Sequence, residues 1–332
     1  MNNTLMVIGE ALIDFTPTKQ GVALKDVCSF TKHCGGAPIN IAAAAAKLGA
    51  HSKVLTQVGA DAFGDFILET LSLCQVDITA VKRTKQYTTA LAFVALDEKG
   101  NRDFTFYRDP CADLYLSAED ITATMFQDCG ILHFCSVDLV DSPMKQAHLK
   151  SIQLAKEQGA IISFDPNVRL PLWSSKEDCK NTILEFAPYA DILKISDDEL
   201  FFLTGQKDCE QVFTVFPDAT IILLTCGEQG SYLMTKEHRL YEKSIPVKAI
   251  DTTGAGDAFA AAFLYQLLRD GISREQLPHL SKDILQVYLR FSNAYAADST
   301  TKYGAVYAMA TTQEFHEFLQ NFHISNVIIS DS

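Results

Sequence analysis

The run Asp251-Thr252-Thr253-Gly254-Ala255-Gly256-Asp257 leads straight into an apolar stretch in which Phe259, Phe263 and Leu267 recur every fourth residue. That period predicts a helix over 255–269, fed by a loop of small residues. Glycines remove side chains, so an anion can reach the backbone. The N–H groups of a first helical turn lack intrahelical partners, and the helix dipole favours negative charge there. Such a turn suits the charge that develops on a phosphoryl group in transfer. Asp257 then stands at the mouth of an anion hole, where a carboxylate can orient an alcohol and receive its proton late in the transfer. Taken alone, the same Asp is also an ordinary acidic residue near the N-cap of a Gly-rich turn.

A second constellation, Gly35-Gly36-Ala37-Pro38-Ile39-Asn40, also opens a helix. Two glycines followed by an Asn suit the close approach of a hydroxylated ligand, because Asn offers both a donor and an acceptor to vicinal hydroxyls. The alternative is a flexible loop with a capping Asn.

Several chemistries lack their motifs. No G-x-x-x-x-G-K-[ST] run is present, and the third glycine of a G-x-G-x-x-G is replaced by Phe259. H-E-x-x-H and G-x-S-x-G are absent as well. His133, alone in an apolar strand, reads as a satisfied core residue. With 28 basic against 41 acidic residues and a net charge of −13, the chain does not look like a nucleic-acid binder. An anionic small ligand would need local donors instead.

Nine cysteines, none in a C-x-x-C pair, favour a reducing cytoplasm over a disulfide framework or a thiolate zinc site. The closest pairs are Cys28/Cys34 and Cys129/Cys135, and each Cys reads as a small buried hydrophobe. No basic stretch precedes the apolar run at the N-terminus, so no signal peptide is expected. The alanine-rich run 41–46 is too short to span a membrane.

The elements that must position these residues alternate along the chain. Strands are expected at 5–8, 54–58, 131–134, 161–164, 192–195 and 221–225. Helices are expected at 39–48, 63–73, 144–158 and 178–187. That alternation implies a parallel sheet covered by helices on both faces. The last third is helical, at 255–269, 282–296 and 312–322, with a capping box at Thr311 and Glu314. One stretch breaks the rhythm: 88–96 and 102–107 are strand-like around the turn formers 97–101, a hairpin suited to a flap, with further flap strands expected within 15–30. At 332 residues two domains are the simple expectation, but no linker or repeat is visible, so one domain with a flap is preferred.

With both Gly-containing motifs in view, the chain resembles the PfkB (ribokinase-like) carbohydrate kinase family, and most closely its fructokinases. Gly35–Asn40 is similar to the N-terminal signature of that family, and the stretch from Asp251 through Ala262 to its C-terminal one. Further similar segments are Gly9-Glu10-Ala11-Leu12-Ile13-Asp14-Phe15, Phe106-Tyr107-Arg108, the run from Asp165 to Trp173, Lys194 to Glu199, and Thr225 to Gly230. The resemblance covers about 5–320 in the expected order.

It implies a ribokinase-like three-layer α/β/α fold with a mostly parallel central sheet and a small β-sheet lid. The chain would be a single kinase domain over 1–332 with lid segments near 15–33 and 86–112. It implies ATP-dependent phosphorylation of a sugar hydroxyl, preferentially the 6-hydroxyl of D-fructose. Asp257 would be the catalytic base, with the backbone of Gly254, Ala255, Gly256 and Asp257 as anion hole. Asp14, Gly35, Gly36, Asn40 and Asp257 would hold the sugar, with Arg108 and Arg169 near sugar and phosphate; Asp14 would close the first strand. Lys194, Ser196, Glu199, Thr225, Gly227, Gly230 and Asn293 would line the ATP groove, together with Gly254 and Gly256. Glu199 would orient Mg²⁺ through water. K⁺ would sit near Asp251, Thr253, Ser299 and Gly304. A homodimer paired through lid edges is a further expectation.

Three departures stand out. Ser196 occupies a place where the family often has Asn. Asp109 follows Arg108 and is placed to pair with it. The segment Tyr295-Ala296-Ala297-Asp298 is bulky and acidic for a run beside an adenine. A 2-keto-3-deoxygluconate kinase or a ribokinase is the alternative within the class, since Arg108 and Arg169 can grip a carboxylate. A non-catalytic sugar-binding regulator is the alternative outside it, but such a protein is expected to lose the base or the glycines, and this chain has both.

Overall fold

The computed structural model describes residues 3–18, 21, 23–96, 102–206 and 212–324. Among the described residues, thirteen strands form two sheets: β1 (Thr4–Ile8), β2 (Leu12–Pro17), β3 (Phe30–Gly35), β4 (His51–Gly59), β5 (Val81–Thr84), β6 (Ala90–Leu96), β7 (Arg102–Tyr107), β8 (Cys129–Cys135), β9 (Ile161–Asp165), β10 (Ile192–Ser196), β11 (Ile221–Thr225), β12 (Ser231–Met234) and β13 (Arg239–Glu242). The helices are α1 (Ala37–Lys47), α2 (Ala62–Leu73), α3 (Pro143–Glu157), α4 (Lys176–Phe186), α5 (Asp197–Thr204), α6 (Val212–Val215), α7 (Ala255–Arg269), α8 (Lys282–Ser299), α9 (Ala305–Ala308) and α10 (Thr312–Asn321).

The large sheet has nine strands in the order β13-β12-β11-β10-β9-β8-β1-β4-β5. From β11 to β5 it is parallel, and β12 and β13 close one end antiparallel. Its central strands are apolar on both faces, as parallel strands between helix layers must be. Leu5, Val7, Ile131, Ile161, Ile192 and Leu223 pack with α1, α7, α8 and α10. Met6, Ile8, Leu132, Phe164, Leu193 and Leu224 pack with α3 and α4. This is the expected three-layer arrangement. The parity places His133, Asp165 and Lys194 on the α7 side.

α1 lies against the sheet and α7, with Ala42 to Ala45 fully buried. Methyl side chains let two helices approach closely. Phe259 and Phe263 of α7 are buried to within 1%, each contributing about 1.5–3 kcal/mol. Among the described residues, no helix is long and apolar enough to cross a membrane.

The small sheet runs β3-β2-β6-β7. Its strands at 12–17 and 30–35 flank the interval where flap strands were expected, and a 3₁₀ turn, Leu24–Asp26, lies between them. Gly9, at φ +149°, separates β1 from β2. Asp14 therefore lies in the small sheet, opposite His33 and Ala92, and not at the end of the first strand. The hairpin of 88–96 and 102–107 is present as β6 and β7, while its loop at 97–101 lies outside the described residues.

Candidate active site

The glycine turn has the shape its spacing requires. Gly254 is left-handed at φ +77°, and a Cβ there would come within 3.0 Å of Ala305 Cβ. α7 starts at the next residue, which puts Asp257 in its first turn. The Ala255 N–H turns back to Thr252 O at 3.3 Å. Asp257 is 8% exposed. Its Oδ2 accepts Asn40 Nδ2 at 2.7 Å, which joins the two helix starts across 217 residues of chain. Burial pushes the Asp257 carboxyl above its ordinary range, while the Asn40 hydrogen bond, Lys194 and Arg169 pull the other way.

Lys194 reaches the turn from β10. Its Nζ is 2.9 Å from where a Cβ on Gly256 would be, so only glycine leaves room for the ammonium. Asp165 Oδ2 accepts from Nζ at 2.8 Å. Burial works against the Lys194 charge, but Asp165 and Glu199 outweigh it and hold the ammonium protonated. Burial takes Asp165 up to about 6, against the pull of Lys194. The neighbourhood of Asp257 thus has one buried cation aimed at the turn.

On the other side, the Asp14 carboxyl packs over Gly35, where a Cβ would collide with it. Gly36, at φ +110°, caps α1, and a Cβ there would strike the Glu10 carbonyl. Gly36→Ala is therefore expected to cost about 1–3 kcal/mol through backbone strain; denaturant unfolding of the two proteins measures it, and an unchanged midpoint contradicts it. Asn40 Oδ1 is buried without a partner, an acceptor left over at the site.

Arg108 does not pair with Asp109. It is 6% exposed and bonds Asp113 Oδ2 through Nε and Nη2 at 2.9 and 2.8 Å, with a further ion pair to Asp138. Two buried carboxylates reached by the fold displace the chain neighbour. Arg169 donates from Nη1 to Val168 O at 3.1 Å, and its charge acts on Asp257.

A cavity of about 870 Å³ opens from the glycine turn along the end of the large sheet. Thr225, Gly227, Gly230, Gly256 and Asn293 are in its wall. Asn293 donates to Glu242 O at 3.0 Å and accepts from Ser231 Oγ at 2.9 Å. Ser196 and Glu199 form a capping box on α5. Glu199 Oε2 accepts the Ser196 N–H at 2.8 Å and Oε1 the Val168 N–H at 2.9 Å. Burial works to raise the Glu199 carboxyl, but Lys194 and these amides outweigh it and hold it below its usual range.

The bulk of the 295–298 segment turns away from the cavity. Tyr295 is in the core, donating to Ala310 O at 2.7 Å, and Asp298 faces Lys302 at 3.6 Å. Only Ala296 and Ala297 of that segment reach the cavity wall.

Asp251, Thr253 and Gly304 do meet. Asp251 accepts the Thr253 N–H at 2.9 Å through Oδ1 and the Gly304 N–H at 3.1 Å through Oδ2. The Ser299 hydroxyl is spent inside its own helix, on Ala296 O at 2.8 Å.

Four carboxylates near the site carry no role in the sequence reading: Glu10, Asp113, Asp138 and Asp165. Each is at most 3% exposed. Their signal is chemical, since an acid buried in a fold needs a partner. Glu10 follows Gly9 in one of the segments similar to the family, and Asp165 opens another. His133 is the satisfied core residue expected, 3.0 Å from Ser163 Oγ.

A family model described as pfkB family carbohydrate kinase matches residues 2–312. A protein of Arabidopsis thaliana named probable fructokinase-2 is 40% identical over 323 residues, which cover 96% of this chain and 97% of the relative. A solved fructokinase with bound ATP from Xylella fastidiosa superposes with a TM-score of 0.89 at 31% identity, covering 97% of this chain and 99% of its own. The fructokinase from Vibrio cholerae O395, in a form with fructose, ADP and calcium ion bound, gives 0.85 at 32% identity, covering 96% and 99%.

Proposed function

Because the chain belongs to the pfkB family of carbohydrate kinases, we propose that it transfers the γ-phosphoryl group of ATP to the 6-hydroxyl of D-fructose, giving fructose 6-phosphate and ADP. The observation that carries this reading is the Asn40–Asp257 hydrogen bond of 2.7 Å at the mouth of the glycine turn. It places a carboxylate and a hydroxyl-recognising amide side by side, next to main-chain amides suited to a phosphoryl group.

In this reading the sugar lies between Asp14, Gly35, Gly36 and Asn40, with Arg169 nearby and the small sheet as its lid, all within one kinase domain. Asn40 Oδ1 accepts a sugar hydroxyl. Asp257 orients the attacking hydroxyl and takes its proton as the O–P bond forms and the bond to ADP breaks. Gly254, Gly256 and Asp257 offer main-chain N–H groups to the migrating phosphoryl group, and Lys194 adds a charge that needs no reorganisation. The cavity from Gly256 to Thr225, Gly227, Gly230 and Asn293 takes the nucleotide. Closing the lid expels water and protects ATP from hydrolysis.

Mg²⁺ bound with ATP would offset phosphate charge. Each Glu199 oxygen keeps a second lone pair beyond its amide bond, which fits contact through water rather than direct ligation. Asp251 and Thr253, with backbone carbonyls near Ser299 and Gly304, are the proposed surroundings of K⁺. Phe15, Phe30 and Phe93 form an aromatic cluster on the lid, with Tyr107 against its rim and 61% exposed. Phe15 of this cluster also packs on Phe63 of α2, and the exposed Tyr107 on the edge strand β7 supports pairing of two lids in a homodimer. We place the enzyme in the cytoplasm, where thiols such as those of Cys34 and Cys135 stay reduced.

Fructose is preferred to a keto-deoxy sugar acid because Arg108 is committed to Asp113 and Asp138. A coupled ADP-release screen over hexoses, pentoses, nucleosides and sugar acids, with and without Mg²⁺, tests the assignment. Fructose is expected to give the highest kcat/KM, by about tenfold or more, with turnover lost on chelation. Preference for the sugar acid overturns the choice of substrate, and no ADP release with any acceptor overturns the kinase reading.

A further inference from the structure

Three of the chain's crossings between the two sheets meet in one buried cluster. At the first, between β1 and β2, Glu10 Oε1 accepts the N–H of Ala37 at 2.8 Å. Ala37 opens α1, just past the second crossing at Gly35 and Gly36. The two crossings interlock further, because a Cβ on Gly9 would stand 2.6 Å from Pro38 Cγ and Gly36 makes room for the Glu10 carbonyl. The third crossing leaves β7 at Arg108, which holds Asp113 and Asp138. Glu10, Arg108, Asp113 and Asp138 are all at most 6% exposed. Glu10 Oε2 and Asp138 Oδ2 are buried without hydrogen-bond partners.

We propose that Glu10 is a positioning residue: from this hinge it ties the start of α1 to the lid, and so sets the spacing of Asp14, on the lid, from Asn40 and Asp257, on the body. Asn40 is in the first turn of α1, its own N–H bonded to Gly36 O at 3.0 Å. A shift of the Glu10–Ala37 contact therefore moves the amide that holds Asp257.

The charges in the cluster give this role a pH signature. Three acids on one guanidinium in a dry site resist full ionisation. Burial, then Asp138, raises Glu10 to about 8, with Arg108 opposing. Asp113 is raised by burial to about 6. Asp138 is likewise raised by burial, with Arg108 opposing, and the Cys135 thiol beside Glu10 is kept neutral because burial drives it well up. Below about pH 8 Glu10 carries a proton and the hinge holds. Above it, a third negative charge faces Asp138 and Asp113, and the hinge loosens. Sugar KM should rise as pH passes through about 8 while kcat stays nearly level.

The kinetic part of the test rests on the sugar-kinase reading; the conformational part does not. Steady-state kinetics on fructose across about pH 6–10 compare wild type, Glu10→Gln and Glu10→Ala. Hydrogen exchange of the small-sheet amides is followed on the same unliganded proteins. Glu10→Ala is expected to raise sugar KM about tenfold or more, with kcat and ATP KM within about threefold, and to speed exchange. Glu10→Gln keeps the acceptor for Ala37 and should return KM to within about threefold, with no alkaline rise.

The assignment falls if Glu10→Ala matches wild type in KM and exchange, if Glu10→Gln does not rescue, or if Glu10→Gln keeps the alkaline limb. The last comparison decides alone should Glu10→Ala not fold. A wild type that turns over no sugar removes the kinase reading, and exchange still decides the hinge.

Discussion

Replacing Asp257 by Ala or Asn should lower kcat at least about 10²-fold while sugar affinity changes only a few-fold, because a base acts on the transition state and not on the bound sugar. Asp257→Asn is the sharper variant. It keeps the volume and an acceptor for Asn40 Nδ2, and removes only the capacity to take a proton. Wild-type pH dependence should agree. The base must be ionised, and burial raises its titration above the ordinary Asp range. The acid limb of kcat should therefore lie at higher pH than a solvent-exposed Asp would give. Near-wild-type turnover in Asp257→Asn would end the base assignment, and rapid-quench measurement of the phosphoryl-transfer step guards against masking by slow product release.

The second large effect concerns Lys194. Lys194→Met should reduce kcat about 10²–10³-fold, the usual cost of removing one preorganised partner of transition-state charge. It should also destabilise the fold by about 3–5 kcal/mol, because Asp165 is left buried and unpaired. The two effects separate on adding Asp165→Asn, which removes the orphaned charge but not the need for the cation. Stability should return in the double variant and activity should not. The pH dependence has a definite sign. Asp165 is already raised to about 6 beside Lys194, and without that partner it rises further. The stability deficit of Lys194→Met should grow as pH increases through neutrality and shrink in acid. A double variant that regains turnover would reduce Lys194 to a structural counter-ion of Asp165.

What can be read along the chain depends on how local the cause is. α7 ends where its apolar period ends, at Arg269, and the parallel strands announce themselves as short apolar runs. β5 does not, since Val81–Thr84 is an edge strand carrying Lys82 and Arg83, charges that protect an edge but hide it in the pattern. β12 and β13 are four residues each and join without Gly, Asn-Gly or Pro.

At the site, Asn40 and Asp257 are each legible as polar residues in helix starts beside glycines, but their hydrogen bond across 217 residues is a product of the fold. Arg108 could not be placed the same way. Its partner Asp138 is 30 residues away and meets it only once the small sheet folds back. Asp14 was misplaced for a similar reason: nothing beside Gly9 tells whether the chain continues its strand or leaves for another sheet.

The glycine turn rests on the far end of the chain. Gly254 packs against Ala305 and Met309, and the carbonyls of Val306 and Met309 hold Lys47, the last residue of α1. Both helices that carry Asn40 and Asp257 lean on this contact. During synthesis this support is therefore added only after 305–309 have emerged from the ribosome. A nascent chain stopped before that point would carry Asn40 and Asp257 without this support.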